Sequence, residues 1–303
     1  MGWLSNIWSY LFKPKPTPIV LQGGTNMRKA LLVGVNLYKG GYNLAGCIND
    51  VDNMYNLIST QYGFLPNEIV VLKDTEATTK NILDKLNWLV DVPTGSTLMF
   101  SFSGHGSQVP TNDPAEEDHL SEVICPHDFS WDSGHMITDK QFVSIFSKIP
   151  TGCVFNWISD SCHSSSLSRD IEKPRTKWGL IKKFLMFWKS NPACTPKHFP
   201  HPPHIADIIR KLKAKGVKTR ALVGGLLDCG FLSGCRDSQT SADSSIGGKA
   251  CGAATYYFLK NIKTLKDQPL TVMAAAMRKD LAANGYSQEP QAEGARVNHP
   301  FLG

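Results

Sequence analysis

The 303-residue sequence has no run of 18 or more apolar residues, so it predicts no membrane-spanning helix. It also has no CxxC pair, and its eight cysteines lack the dense, regular spacing of a disulfide framework. These absences exclude most structural zinc patterns and are typical of proteins in a reducing compartment. We therefore expect an intracellular, cytoplasmic protein.

The first residues differ in character from the rest of the chain. Residues 1–12 (MGWLSNIWSYLF) lack the basic start and the small-residue cleavage site of a secretory signal, and a KPKPTP spacer follows them. We predict an appendage and linker at 1–26 and one large globular domain at 27–303. The apolar face of residues 1–12 leaves three roles open: peripheral membrane anchor, partner helix or autoinhibitory plug. Met27 could also serve as an alternative start.

The positive charge is concentrated in one segment. Between Leu167 and Arg220 there are 14 Lys and Arg against 3 Asp and Glu, a net charge of +11 in a chain of +6, which leaves about −5 elsewhere. We interpret residues 171–220 as a basic insertion. This insertion has three interpretations: a solvated surface loop, a patch for an anionic partner, or a cleavable linker. We expect no nucleic acid partner.

Short apolar runs alternate with amphipathic stretches along the chain. This alternation predicts a mostly parallel sheet with helices on both faces. The predicted strands are 30–35, 68–72, 96–103, 153–159 and one within 222–233. The predicted helices are 45–61, 78–90, 139–146, 247–260 and 271–283. Five prolines between 192 and 203 argue against regular structure there.

Two predicted strands end in reactive residues. MFSFS runs into GHG, which leaves His105 on a turn, and VFNWIS runs into DSCHS, which leaves Cys162 in the same kind of position. Parallel neighbours would bring both side chains to one sheet edge, where ligands bind in such folds. A thiol beside an imidazole is an activated nucleophile for acyl transfer.

Each of these two residues also has an ordinary structural interpretation. A His in a Gly-rich turn is often a hydrogen-bonded structural residue, and a Cys after a strand is often core packing. Their joint occurrence at equivalent strand ends, 57 residues apart, favours catalysis, because a similar spacing separates His and Cys in caspases.

Six blocks of the sequence resemble successive blocks of the metacaspases, the Arg/Lys-directed relatives of caspases. They are KALLVGVNLY, LAGCINDVDNM, SFSGHGSQ, DSCHSSS, SGCRDSQTSAD and YSQEPQ, and together they cover about residues 29–291. The resemblance implies a caspase-like three-layer α/β sandwich with a six-stranded, mostly parallel sheet. It implies a monomeric cysteine endopeptidase that cleaves polypeptides after Arg or Lys, with Cys162 as nucleophile and His105 as general base and acid.

The resemblance also suggests a substrate pocket. Asp50 and Asp160 match the family's acidic pocket, with Ser103 beside them, and two carboxylates favour an Arg or Lys side chain. For Asp50 alone, a carboxylate that complements a helix dipole is an equally good interpretation. The backbone N–H groups of Cys162 and Gly106 are the candidates for oxyanion stabilisation.

Calcium is the cofactor that the resemblance implies. Glu122 and Asp139 match two ligand positions, and Asp170 matches a third with a shift of one residue. Glu122 stands where the family usually has Asp, and Thr138 stands where it has another Asp, so fewer charged ligands are available.

The basic insertion interrupts the resemblance where caspase relatives carry the linker between subunits. A Lys/Arg-rich loop beside an enzyme that prefers Lys and Arg is a candidate self-cleavage site or pseudo-substrate. Two other functions stay open: a catalytically silent or latent caspase-like scaffold that binds partners or a membrane surface, and a caspase-fold peptidase of other specificity.

Overall fold

The apolar runs of the sequence form the centre of a six-stranded sheet. All of its neighbouring strands pair in parallel except one edge strand, which is antiparallel to its neighbour. The computed structural model describes residues 26–113, 119–131, 133–162, 194–214, 228–236 and 239–303. The N-terminal appendage and much of the basic insertion lie outside this description.

The six strands of the main sheet are β1 Arg28–Gly34, β2 Ile69–Lys73, β3 Thr97–Ser103, β7 Val154–Asp160, β9 Gly230–Ser233 and β12 Gln291–Glu293. Their order in the sheet is β12-β9-β7-β3-β1-β2, and β12 is the antiparallel edge strand. The structure also has two three-stranded sheets. One contains β4 Gly106–Pro110, β5 Leu120–Ile124 and β6 Ile137–Thr138; the other contains β8 Thr195–Pro196, β10 Ala242–Ile246 and β11 Lys249–Gly252.

Six α-helices occur in the described residues. They are α1 Cys47–Gln61, α2 Thr79–Val90, α3 Asp139–Phe146, α4 Pro203–Ala214, α5 Ala253–Leu265 and α6 Leu270–Ala283. Single 3-10 turns occupy Pro66–Glu68, Asp74–Glu76 and Ser133–His135.

Alternate side chains of each central strand enter two separate cores, as the two-residue period of a strand requires. Leu31 and Val33 of β1 pack with helices α2 and α3 on one face. Ala30 and Leu32 pack with α1, α5 and α6 on the other. The structure therefore has the three-layer α/β sandwich architecture that the sequence predicts.

Two local expectations differ from the structure. The predicted helix at 247–260 begins only at Ala253, because Gly247 and Gly248 take positive φ in the turn between β10 and β11. In the proline-rich stretch, β8 is a two-residue strand and α4 begins at Pro203, a position where proline costs the helix no hydrogen bond.

Within the described residues, no helix is both long enough and apolar enough to span a membrane.

Candidate active site

The pairing of β3 with β7 brings the two reactive residues to one sheet edge. Ser103 and Asp160 are register partners at the ends of these parallel strands. His105 and Cys162 each follow two residues later, so both enter the crevice beyond the strand ends. The predicted pair therefore lies in adjacent loops.

His105 is held by a side-chain hydroxyl and a backbone carbonyl from the loop that follows β1. Its Nε2 lies 2.6 Å from the carbonyl oxygen of Tyr42, and its backbone N–H donates to the Tyr38 hydroxyl at 2.7 Å. The second ring nitrogen, Nδ1, is buried and has no hydrogen-bond partner among the described residues. Burial lowers the pKa of His105 to about 4, so the imidazole is neutral at pH 7.

Cys162 is fully buried, and its sulfur accepts a backbone hydrogen bond. The N–H of Ser241 lies 2.6 Å from Cys162 Sγ. An N–H donor aimed at sulfur stabilises negative charge there, which is the form in which a thiol attacks a carbonyl.

The pocket beside these residues contains a lysine from the chain's own basic insertion. Lys197 is 0% exposed, and its Nζ lies 3.2 Å from Asp50 Oδ2 and 3.3 Å from Asp160 Oδ1. The same Nζ donates to Ser103 Oγ at 2.8 Å, and Ser103 Oγ in turn donates to Asp50 Oδ2 at 2.7 Å. The three predicted pocket residues thus surround one cation.

The electrostatics of the pocket favour a charged lysine. Burial acts to lower the pKa of Lys197, but the nearby acidic groups, Asp160 foremost, outweigh it and raise that pKa well above its ordinary value. Burial raises the pKa of Asp50 to about 6, although the Lys197 cation opposes the rise. An empty pocket of this kind would leave two buried carboxylates without a counter-charge.

Backbone and hydroxyl donors hold the two carboxylates in place. The Gly252 N–H donates to both oxygens of Asp50, at 2.9 and 3.0 Å. Thr255 donates to Asp160 Oδ2 from its backbone and its hydroxyl, and Ser241 Oγ donates to Asp160 Oδ1 at 2.5 Å. These donors satisfy oxygens of both carboxylates, which offsets part of the cost of burying them.

The carbonyl group of Lys197 lies between two N–H donors. Its oxygen accepts from Gly106 at 3.1 Å and from Cys162 at 3.2 Å. The Lys197 N–H donates to the Ser241 carbonyl at 2.9 Å, which fixes the peptide from the other side. Two converging N–H groups beside a buried thiol are the arrangement of an oxyanion hole.

Two of the calcium candidates lie in β5 and at the start of α3. Glu122 and Asp139 neighbour the paired residues Val123 and Thr138 of β5 and β6, whereas Asp170 lies outside the described residues. In the described part of the chain, no group of three or more His, Cys, Asp or Glu side chains could hold a metal ion. Two carboxylates alone do not complete a calcium site, which uses six to eight oxygens.

Several residues of the site were not predicted from the sequence. Lys197 lies in the stretch for which the prolines predicted no structure, and no local pattern distinguishes it from its basic neighbours. Gly252 and Thr255 act mainly through backbone N–H groups, which any residue type carries. Ser241 lies in the SGCRDSQTSAD block, which was matched only as a resemblance, so its contacts with thiol and carboxylate were not anticipated.

Known proteins resemble this chain in sequence. A family model described as "Metacaspase, peptidase C14 domain" matches residues 28–169. The chain is 32% identical over 289 residues to Metacaspase-1 of Scheffersomyces stipitis, covering 87% of this chain and 70% of that protein. It is 33% identical over 295 residues to Metacaspase-1A of Aspergillus fumigatus, covering 91% and 70%.

Solved structures share the fold. A Geobacter sulfurreducens protein superimposes with a TM-score of 0.61 at 22% identity, over 91% of this chain and 98% of that one. Caspase-1 from Spodoptera frugiperda superimposes with a TM-score of 0.55 at 10% identity, over 96% and 95%. At these identities the likeness establishes the caspase-like fold alone.

Proposed function

The chain belongs to the metacaspase family and is a cysteine-type peptidase, and we propose that it cleaves polypeptides after Lys or Arg through a Cys162–His105 dyad. One observation carries the proposal. Lys197 lies in the pocket of Asp50, Asp160 and Ser103 while its carbonyl oxygen accepts from two N–H groups at the thiol. This is the position of a substrate residue before the cleaved bond.

The proposed reaction begins with attack of the Cys162 thiolate on the carbonyl carbon of the bound Lys or Arg. The negative charge that develops on the oxygen is stabilised by the N–H groups of Gly106 and Cys162. His105, oriented by the Tyr42 carbonyl, takes the thiol proton and gives it to the leaving nitrogen. Water then hydrolyses the thioester, and His105 serves as base for that step.

The pocket accounts for the proposed specificity. Asp50 and Asp160 pair with the cation of a bound lysine. A substrate Asp side chain in the place of that lysine would face two like charges at similar distances. Arg, with its planar fork of donors, suits paired carboxylates as well as Lys does.

The proposal extends to the chain's own Lys197–His198 bond. The insertion occupies the site as a substrate would, which supports both self-cleavage at this bond and occlusion of the site until it is cut. The two roles are successive states of one molecule: an uncut chain covers its pocket, and a cut chain frees it.

The decisive experiment is cleavage of three fluorogenic peptides that end in Lys, Arg or Asp and are otherwise identical. We expect the wild type to cleave the Lys and Arg peptides, and mass spectrometry to find the chain cut between Lys197 and His198. Cys162→Ala should lose both activities, whereas Cys153→Ala, at the far end of β7, should keep both. Cleavage of the Asp peptide, or activity that survives in Cys162→Ala, would contradict the proposal.

Calcium activation is also part of the proposal. Glu122 and Asp139 would supply carboxylate oxygens to the ion, together with Asp170 from outside the described residues. A bound ion would fix the loops around β5 and β6, which adjoin the strand β4 that begins at Gly106.

A further inference from the structure

We propose that this peptidase has a second substrate subsite, an aromatic cage that binds a Phe, Tyr or Trp side chain two residues after the cleaved bond. The cage is formed by the side chains of Tyr38, Tyr42, Phe129 and Trp131. The inference rests on the proposed function, because it treats residues after Lys197 as the leaving part of a substrate.

The backbone after Lys197 follows a path that any extended peptide could take. The Phe199 N–H donates to the Gly106 carbonyl at 3.0 Å, and the Ser107 hydroxyl donates to the Phe199 carbonyl at 3.2 Å. Both bonds involve only the backbone of the bound segment, so they do not depend on its sequence. Phe199 therefore marks the position of the second residue after the cleaved bond.

The side chain of Phe199 is almost completely enclosed by aromatic rings. It is 5% exposed. Its ring centroid lies 4.7 Å from Phe129, 5.3 Å from Tyr42, 5.6 Å from Tyr38 and 6.3 Å from Trp131, mostly in edge-to-face or tilted arrangements. These are the distances and orientations at which aromatic pairs attract beyond their burial.

The cage lies at the boundary between the core and the surface, because Tyr38 and Phe129 belong to a buried hydrophobic cluster and Trp131 packs against it. Tyr42 remains 59% exposed although Phe199 packs against it. The two tyrosines belong to the loop between β1 and α1, and Phe129 and Trp131 belong to the loop after β5. Walls contributed by two surface loops suit a subsite that a peptide fills on binding.

The cage is also connected to the catalytic histidine. The Tyr38 hydroxyl accepts a hydrogen bond from the backbone N–H of His105, and the Tyr42 backbone carbonyl accepts one from His105 Nε2. The ring centroid of His105 lies 5.6 Å from that of Phe199. A ring in the cage thus packs against the residues that orient His105. Aliphatic or small side chains at this position would leave part of the cage exposed to water.

The test uses two internally quenched peptides that share Lys before the cleaved bond and differ only two residues after it, Phe in one and Ala in the other. The enzyme is the Phe199→Ala variant, so that its own ring does not compete for the cage. We expect at least about tenfold higher kcat/KM for the Phe peptide, mainly through a lower KM, because burial of an aromatic ring contributes chiefly to binding.

Two further variants locate the effect. Trp131→Ala, combined with Phe199→Ala, should reduce the preference for Phe to about twofold or less. Tyr256→Ala, also combined with Phe199→Ala, removes an exposed aromatic side chain on α5 and should leave the preference for the Phe peptide unchanged. Equal cleavage of both peptides, or a preference that survives Trp131→Ala, would overturn the inference. Failure to cleave either Lys peptide would instead reject the proposed function.

Discussion

The ionisation of Asp50 should control activity at mildly acidic pH. Burial raises its pKa to about 6, so the carboxylate is protonated below that pH and loses its attraction for a lysine side chain. The Lys197 cation opposes this rise, so a bound lysine favours the ionised form of Asp50. We expect kcat/KM for Lys peptides to fall as pH drops through about 6.

A pH profile of kcat/KM between 5 and 8 tests this expectation. His105, with its pKa lowered to about 4, would titrate outside that window and cannot account for the same limb. The control is Asp52→Asn, which removes an exposed carboxylate from the same helix and should leave the profile unchanged. A flat profile down to pH 5 would show that Asp50 does not have this role.

Gly252 should be essential because it forms a wall of the lysine pocket. A Cβ atom at this position would overlap with Asp160, Lys197 and Asp50, and all three atoms concerned are polar side-chain atoms inside the pocket. We expect Gly252→Ala to lower kcat/KM for Lys and Arg peptides at least about 100-fold, a loss comparable to that of one essential contact.

The matched control for this substitution is Gly134→Ala, where an added Cβ meets nothing within 4 Å and the backbone takes no positive φ. It should retain activity. Thermal unfolding of both variants separates a blocked pocket from a misfolded chain. Full activity of Gly252→Ala would mean that substrate lysines bind elsewhere.

At the scale of elements, long buried strands could be predicted from sequence and short polar ones could not. The run at residues 30–35 is apolar because β1 is covered on both faces, and that cause leaves a direct trace in the sequence. Strands such as β4 and β10 carry Ser, Gln and Asp and show no apolar run, because their pairing with the next strand along the chain is made by backbone hydrogen bonds.

The candidate site divides in the same way. His105 and Cys162 could be predicted because each follows a recognisable strand, and parallel pairing then brings them together. The contact between Lys197 and Asp50 joins residues 147 positions apart, and Lys197 lies in a stretch without periodic pattern. No local sequence pattern can encode such a contact, so it is visible only in the folded structure.

The junction of β5, β6 and α3 is the element that should respond to calcium. Asp139 begins α3, directly after β6, and Glu122 lies in the neighbouring strand β5. If these carboxylates bind calcium, a chelator should abolish cleavage of Lys peptides, and added Ca²⁺ should restore it. Asp139→Asn should raise the calcium concentration for half-maximal activity by about tenfold or more, because a charged oxygen ligand is lost.

The control for Asp139 is Asp84→Asn, which removes an exposed carboxylate on α2 that pairs with Lys80. Calorimetric titration with Ca²⁺ measures binding without relying on activity. Undiminished activity in chelator, together with no heat of binding, would remove calcium from the account of this protein.

At the scale of the whole molecule, cleavage after Lys197 should not separate the chain into two pieces. Residues on both sides of the cut share the main sheet, where β9 pairs with β7, and share the core that α1 forms with α5 and α6. Buried hydrogen bonds also cross the cut, from Gly252 to Asp50 and from Thr255 to Asp160. Separation would expose this core to water, at a cost that grows with the apolar area.

We therefore expect fragments 1–197 and 198–303 of the cut protein to elute together in native size-exclusion chromatography and to separate only in denaturant. Light scattering should give the mass of one chain, 33.4 kDa, which also tests the predicted monomer. Peptidase activity should follow the joint peak, because Asp50 and Cys162 lie in one fragment while Gly252 and Ser241 lie in the other. Activity in a peak that holds fragment 1–197 alone would contradict this, since that fragment lacks the backbone donors that hold its carboxylates and thiol.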